Sequence, residues 1–205
     1  MKLDLLSTIK GSALEDFFPA GWDLARMDEL AGRAPERIGE REEYWSEGYE
    51  PVVCESVDDL EVRMGVEIAN QIIETRAEGR QLAIILPVGP MGMYRWTIDR
   101  LKNEEISCDH VWGFNMDEWS NAEGDTLAGD SPGSFQNAME EAFYDRLGEL
   151  TVPPEQRYFA TREQLEQYPG KIAELRADGA RLVVVYGCLL YTSPSPRDAT
   201  LSRMP

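Results

Sequence analysis

No apolar run in the sequence reaches the length of a membrane span. The longest, Leu182 to Tyr191, is half of the ~20 residues that a spanning helix needs. A signal peptide's apolar stretch is missing too, since Met1-Lys2-Leu3-Asp4-Leu5-Leu6-Ser7 meets an acid at once. Cysteine is scarce: three stand at positions 54, 108 and 188, with no CxxC pair and no even-numbered framework. They read as two buried thiols and one stray in a reduced, cytoplasmic protein. Cations are few as well, 20 Lys and Arg against 38 Asp and Glu, for a net charge of −18. Such a surface repels phosphate backbones and anionic membranes, so nucleic acid and membrane are not expected partners. A local group of backbone N–H donors can still hold an anionic metabolite against that net charge.

What is present suits a core-forming protein of one domain with a decorated end: 205 residues, 42% hydrophobic and 28% charged. Residues 1–50 carry Pro19, Gly21, Gly32, Pro35, Gly39 and Gly48 among dispersed charges and six aromatics. The aromatics argue against plain disorder. This stretch reads as an N-terminal extension with short helices at Ser12–Phe18 and Asp23–Ala31, packed on the main domain.

From Pro51 the pattern sharpens. Val52-Val53-Cys54 is a strand candidate, and Ser56 with Asp59 matches a capping box. Val57, Leu60, Met64, Ile68 and Ile72 then recur at helical spacing, in a helix that ends near Gly79. Leu82–Leu86 is continuously apolar, as in a strand buried on both faces. Pro87-Val88-Gly89-Pro90-Met91-Gly92 breaks it, and a helix follows to about Lys102. Asp109–Asn115 reads as a strand and Asn121–Gly133 as a polar loop. Ser131-Pro132 signals a helix whose buried stripe is Phe135, Met139, Phe143 and Leu147. Arg157–Ala160 is a short strand, Thr161 with Gln164 a second capping box for a helix to about Asp178, and Leu182–Tyr186 another buried strand. The alternation predicts an α/β fold: a doubly wound, mostly parallel sheet with helices on both faces.

After Gly187 the periodicity stops. Residues 188–205 resemble the translated read-through of a sequencing adapter, so the α/β domain is expected to span 51–187 and to be truncated at its C-terminus, with 188–205 a non-native tail.

Chemistry gathers where predicted parallel strands end, the edge at which open α/β sheets bind ligands. Gly89 to Gly92, between a strand and a helix, lets the backbone approach an anion at a helix start. Asp117 and Glu118 follow the next strand; a carboxylate there, raised by a like charge and partial burial, can serve as a general base. The other acidic runs, Glu40–Glu43 and Glu140-Glu141, read as solvated faces.

The order of strand, Gly-loop and helix (with Gly92-Met93-Tyr94), then Phe114-Asn115-Met116-Asp117-Glu118, then Ser131-Pro132-Gly133-Ser134-Phe135 resembles the glucosamine-6-phosphate deaminase/isomerase family. The resemblance covers about Val52 to Gly187. It implies an enzyme of amino-sugar phosphate metabolism, working without a metal or organic cofactor and, when intact, a homo-oligomer. Asp117 would take the proton from carbon 2 of the ring-opened sugar and return it to carbon 1, after which water adds and ammonia leaves. Glu118 would shape the site and its charge, and Gly89, Pro90, Met91, Gly92 and Asn115 would contact the sugar phosphate. Two features depart from the family. No hydroxyl lies between Leu82 and Met93, where the family's loop supplies them to the phosphate. The ring-opening His and its supporting acids, expected after Gly187, are absent, and His110 precedes the strand that carries Asp117. The chain is therefore expected to be inactive or severely impaired. A non-catalytic sugar-phosphate sensor and a phosphogluconolactone hydrolase remain alternatives, with Trp119 favouring the deaminase side over the second.

Overall fold

The computed structural model describes residues 52–121 and 123–187, with isolated positions 25, 26, 29, 47, 48 and 50 ahead of them. The chain divides between Cys54 and Glu55 into two compact units, and every element below belongs to the second. The helix expected at Ser12–Phe18 and the tail 188–205 lie outside the described residues, as does the Asp23–Ala31 helix apart from helical Ala25, Arg26 and Glu29.

Helix α1, Val57–Ala77, starts where the capping pattern places it: the Ser56 hydroxyl accepts from the Asp59 N–H at 3.1 Å. The Asp59 carboxylate reaches back to the Glu55 N–H, one residue earlier than the standard box. Strand β1 is Leu82–Leu86, helix α2 Gly92–Asn103 and strand β2 Val111–Asn115. Helix α3, Phe135–Met139, passes through a π-helical turn at Glu140–Tyr144 into α4, Asp145–Leu147. Strand β3 is Arg157–Tyr158, α5 Arg162–Leu165, α6 Tyr168–Ala177 and β4 Arg181–Val184.

All strand pairs are parallel and the order is β3-β2-β1-β4. The chain winds one way from β1 through β2 to β3, then returns past β1 to add β4. This is a doubly wound α/β sheet, and its winding reverses beside β1, which makes the C-terminal end of β1 the switch point. One face packs Leu82, Ile84, Leu86 and Val111 under α1, α2 and the α3–α4 segment. The other packs Ala83 and Phe114 against Tyr168 and Leu175 of α6. The two core clusters thus put helices on both faces.

Several elements differ from expectation. Val52-Val53-Cys54 forms no strand, and Val52 and Val53 are exposed. The α3 helix is capped by Ser134, not Ser131: the Ser134 hydroxyl accepts from the Asn137 N–H at 2.9 Å. Its stripe repeats every four residues, which at 3.6 residues per turn drifts by about 40° per repeat. The π turn, wider by one residue, absorbs that drift and returns Phe143 and Leu147 to the core. The helix expected from Thr161 to Asp178 is two helices, broken ahead of Pro169, and Gln164 caps the Phe159 N–H while the Thr161 side chain caps nothing. Strand β4 is not buried on both faces: Leu182 and Val184 stay open to solvent while Val183 and Val185 pack on the first cluster.

Helix α2 ends in a Schellman turn, with Ile106 N–H bonded to Leu101 O at 2.9 Å and Glu105 N–H to Lys102 O at 3.2 Å. The left-handed residue there is Glu105, φ 53°, where glycine is usual. Glu105→Gly is expected to stabilise the fold by about 1 kcal/mol, read as a higher urea midpoint at unchanged slope.

Candidate active site

Register brings the two expected site segments to one edge. Leu86 pairs with Asn115, and the Met116 N–H bonds Leu86 O at 2.9 Å, so the Pro87–Gly92 loop and Asp117 leave adjacent strand ends. Gly187, just beyond β4, presses its backbone onto Gly89 and Pro87 from the other side of β1. The switch point is therefore lined by the continuations of β1, β2 and β4.

In the loop, Gly89 is buried at φ 131°, a conformation that needs glycine, and the Gly89–Pro90 bond is cis. Pro90 and Met91 lead into α2, with Met91 at the cap position and making no side-chain cap, and Gly92 as the first helical residue. Tyr94 donates its hydroxyl to Pro87 O at 2.6 Å, tying the first turn of α2 back to the start of the loop. Asn115 is fully buried; Tyr168 donates to its carbonyl at 3.0 Å, but neither atom of its amide finds a partner among the described residues. An unpaired buried amide costs about 1–3 kcal/mol, the kind of deficit that native folds retain where a polar group is needed.

The two adjacent acids have different lives. Glu118 is held fast: its carboxylate accepts from the N–H groups of Trp119, Phe135 and Gln136, each at 2.9 Å. It thereby closes the 119–134 loop onto the N-terminus of α3, where a carboxylate is favoured. Asp117 makes no hydrogen bond to a described residue and stays open to solvent on one side. Partial burial, and then the neighbouring Glu118 charge, raise its pKa above the usual carboxylate value. An unbonded carboxylate of raised basicity, beside one that is locked by backbone donors, can accept and return a proton. Trp119, exposed and packed on Phe135 with ring centroids 5.2 Å apart, borders the pair with an apolar surface.

Reading the sequence alone missed Glu61. From α1 its carboxylate packs beside Gly92, so closely that a Cβ there would clash with it. The available signal was the spacing to Gly65, one turn further along α1, whose own missing Cβ lets α1 and α2 meet at Met93 and Trp96.

His110 sits at the opposite edge, just before β2. Its Nε2 donates to Ile72 O at 3.0 Å, which leaves Nδ1 to accept from Arg76 at 3.5 Å. Burial, with Arg76 adding to it, lowers its pKa. A lowered folded pKa means that the unfolded chain binds the proton more tightly, so this contribution is present above about pH 6.5 and is lost as pH falls. The unfolding free energy should drop from pH 7.5 to 5.5 more in the native protein than in His110→Gln, by at most about 1.4 kcal/mol per pH unit.

Among the described residues no helix is long and apolar enough to cross a membrane, and no three His, Cys, Asp or Glu side chains are grouped to hold a metal ion.

The fold and site together define a doubly wound α/β protein with a free carboxylate and a Gly-loop at the switch point. Among solved structures, a monomeric glucosamine-6-phosphate deaminase, described as a missing link of the NagB superfamily, is similar to this chain at a TM-score of 0.49 and 20% identity, over 60% of this chain and 49% of that one. The chain thus spans about half the length of that deaminase. No protein-family model matches the chain, and no curated protein is similar to it in sequence.

Proposed function

We propose that this sheet edge is the proton-transfer site of a sugar isomerase/deaminase of the glucosamine-6-phosphate deaminase kind, with Asp117 as the base. The observation that carries the reading is the pairing of Asp117, unbonded and raised in pKa, with Glu118, fixed by three backbone donors. On an open-chain aldose with an amine at carbon 2, Asp117 removes the carbon-2 proton and leaves an enolamine. The same carboxyl returns that proton to carbon 1, giving the imine of the ketose. Water then adds to carbon 2 and ammonia departs. Asn115 and the Gly89–Gly92 loop would bind the sugar beside the base, with glucosamine 6-phosphate as the reference substrate.

The test is isotope exchange in D2O, followed by proton NMR on glucosamine, fructose and their 6-phosphates, with released ammonia measured in parallel. Exchange at the carbons flanking the carbonyl asks only for a base and an open-chain sugar. It therefore registers the Asp117 step even where ring opening is left to solution. Exchange above the buffer rate is expected for at least one sugar; none for any of the four overturns the reading. Lactone hydrolysis without exchange would instead favour a phosphogluconolactone hydrolase.

A further inference from the structure

We infer that the cleft between α2 and α4 is a binding site for a small polyanion of the diphosphate kind, separate from the Asp117 edge and independent of the sugar reading. The chain sets 38 acids against 20 cations, so most cations are neutralised in place. From residue 55 to 187 only Arg95, Lys102, Arg146 and Arg176 form no ion pair among the described residues. Three of these four line one cleft of about 550 Å³, which Ile98, Asp99 and Asn103 complete. That volume falls in the range of small-molecule sites. Arg95, Ile98, Asp99 and Lys102 stand at i, i+3, i+4 and i+7 on one face of α2, and Arg146 joins them from α4. Three cations against one carboxylate leave the cleft positive in a protein whose net charge is −18.

Helix capping accounts for part of this cluster only. Lys102 lies in the last turn of α2, where a cation complements the dipole, and its Nζ donates to Arg146 O at 3.0 Å. Arg146 donates through Nε to Glu141 O at 3.1 Å, which fixes the side chain and leaves its terminal nitrogens for another acceptor. Arg95 has no such reason to be there. It stands in the first turn of α2, the end that disfavours a cation, and lies 4.8 Å over the Trp96 ring, a contact that leaves its charge uncancelled. A bound anion would offset that cost. Two guanidinium forks and an ammonium match the oxygens of a diphosphate. Three cations span too few phosphates to hold a nucleic acid against the surrounding acids, so the ligand is small.

The test titrates the full chain with pyrophosphate and with inorganic phosphate, read by calorimetry and phosphorus NMR, in the native protein and four variants. Pyrophosphate should bind more tightly than phosphate, and its affinity should fall as salt is raised. Arg95→Gln and Arg146→Gln should each weaken it by about tenfold, the worth of one charge-assisted contact. Asp99→Asn removes the one acid of the cleft and should tighten binding several-fold. Arg176→Gln, which alters the unpaired cation outside the cleft, should leave binding unchanged. Equal urea midpoints for all four variants show that folding is not what changes. Absence of pyrophosphate binding overturns the site. So does binding that ignores Arg95 and Arg146, or that weakens as much in Arg176→Gln, since either would place the anion elsewhere or make its attraction diffuse.

Discussion

Asp117→Asn is expected to lower sugar proton exchange by about 10³-fold, the usual reach of a positioned general base, while leaving the fold as stable as before or more so. The second half follows from the direction of the shift. A carboxyl whose pKa is raised by folding is protonated more readily in the folded than in the unfolded chain, so its ionised form costs stability above the folded pKa. A neutral amide of the same shape removes that cost. Loss of activity with unchanged or higher urea midpoint is the signature of a residue kept for chemistry; loss of both would mean that Asp117 is structural. Glu118→Gln separates the partner's role. Without the like charge, Asp117 falls towards the ordinary carboxylate range, so the acid limb of the rate profile should move to lower pH. The glutamine has one acceptor atom for three N–H donors, so the loop closure onto α3 weakens as well.

The parts of this fold that could be read beforehand are those where local and tertiary demands agree. The Leu82–Leu86 strand is apolar at every position because it lies between two neighbours and under helices on both faces, and burial on both sides leaves no room for alternation. Asp117 is singled out only with the family resemblance, since an acidic pair past a strand reads by itself as a solvated turn. What resisted reading was set by partners distant in sequence. From Leu182 onward β4 is as apolar as β1, yet among the described residues Leu182 and Val184 stay exposed; composition cannot show how far a strand is covered. The four-residue stripe of Phe135–Leu147 concealed a π turn, since the pattern fixes which residues face inward and not how the backbone brings them there. Glu61 is distant from Gly92 in sequence and beside it in space, and only the approach of α1 to α2 at Gly65 connects the two.

A second large effect is expected away from the proposed chemistry, at Arg157. Its guanidinium pairs with Glu140 at 2.6 Å, donates to Val152 O at 2.9 Å and to the Thr151 hydroxyl at 3.3 Å, and lies 4.6 Å over the Tyr144 ring. It thus fastens the π turn to β3, the strand beside the one that positions Asp117. Both partners are largely withdrawn from water, Arg157 with 11% and Glu140 with 27% of the side chain exposed. Removing one member of such a pair leaves the other charge buried alone, so Arg157→Met should cost about 3 kcal/mol at pH 7. The double variant Arg157→Met/Glu140→Met should recover most of that loss, because two apolar side chains leave nothing unpaired. Burial already raises the Glu140 pKa even with Arg157 in place, and without the cation it must rise further. A raised folded pKa penalises the ionised form, and the penalty disappears as pH falls through that value. Urea midpoints of the single variant should therefore approach those of the native protein as pH is lowered from 7 to 5, whereas the double variant should show no such convergence. A single-variant deficit that stays constant over that range would place the loss in packing against Tyr144 and not in the stranded carboxylate.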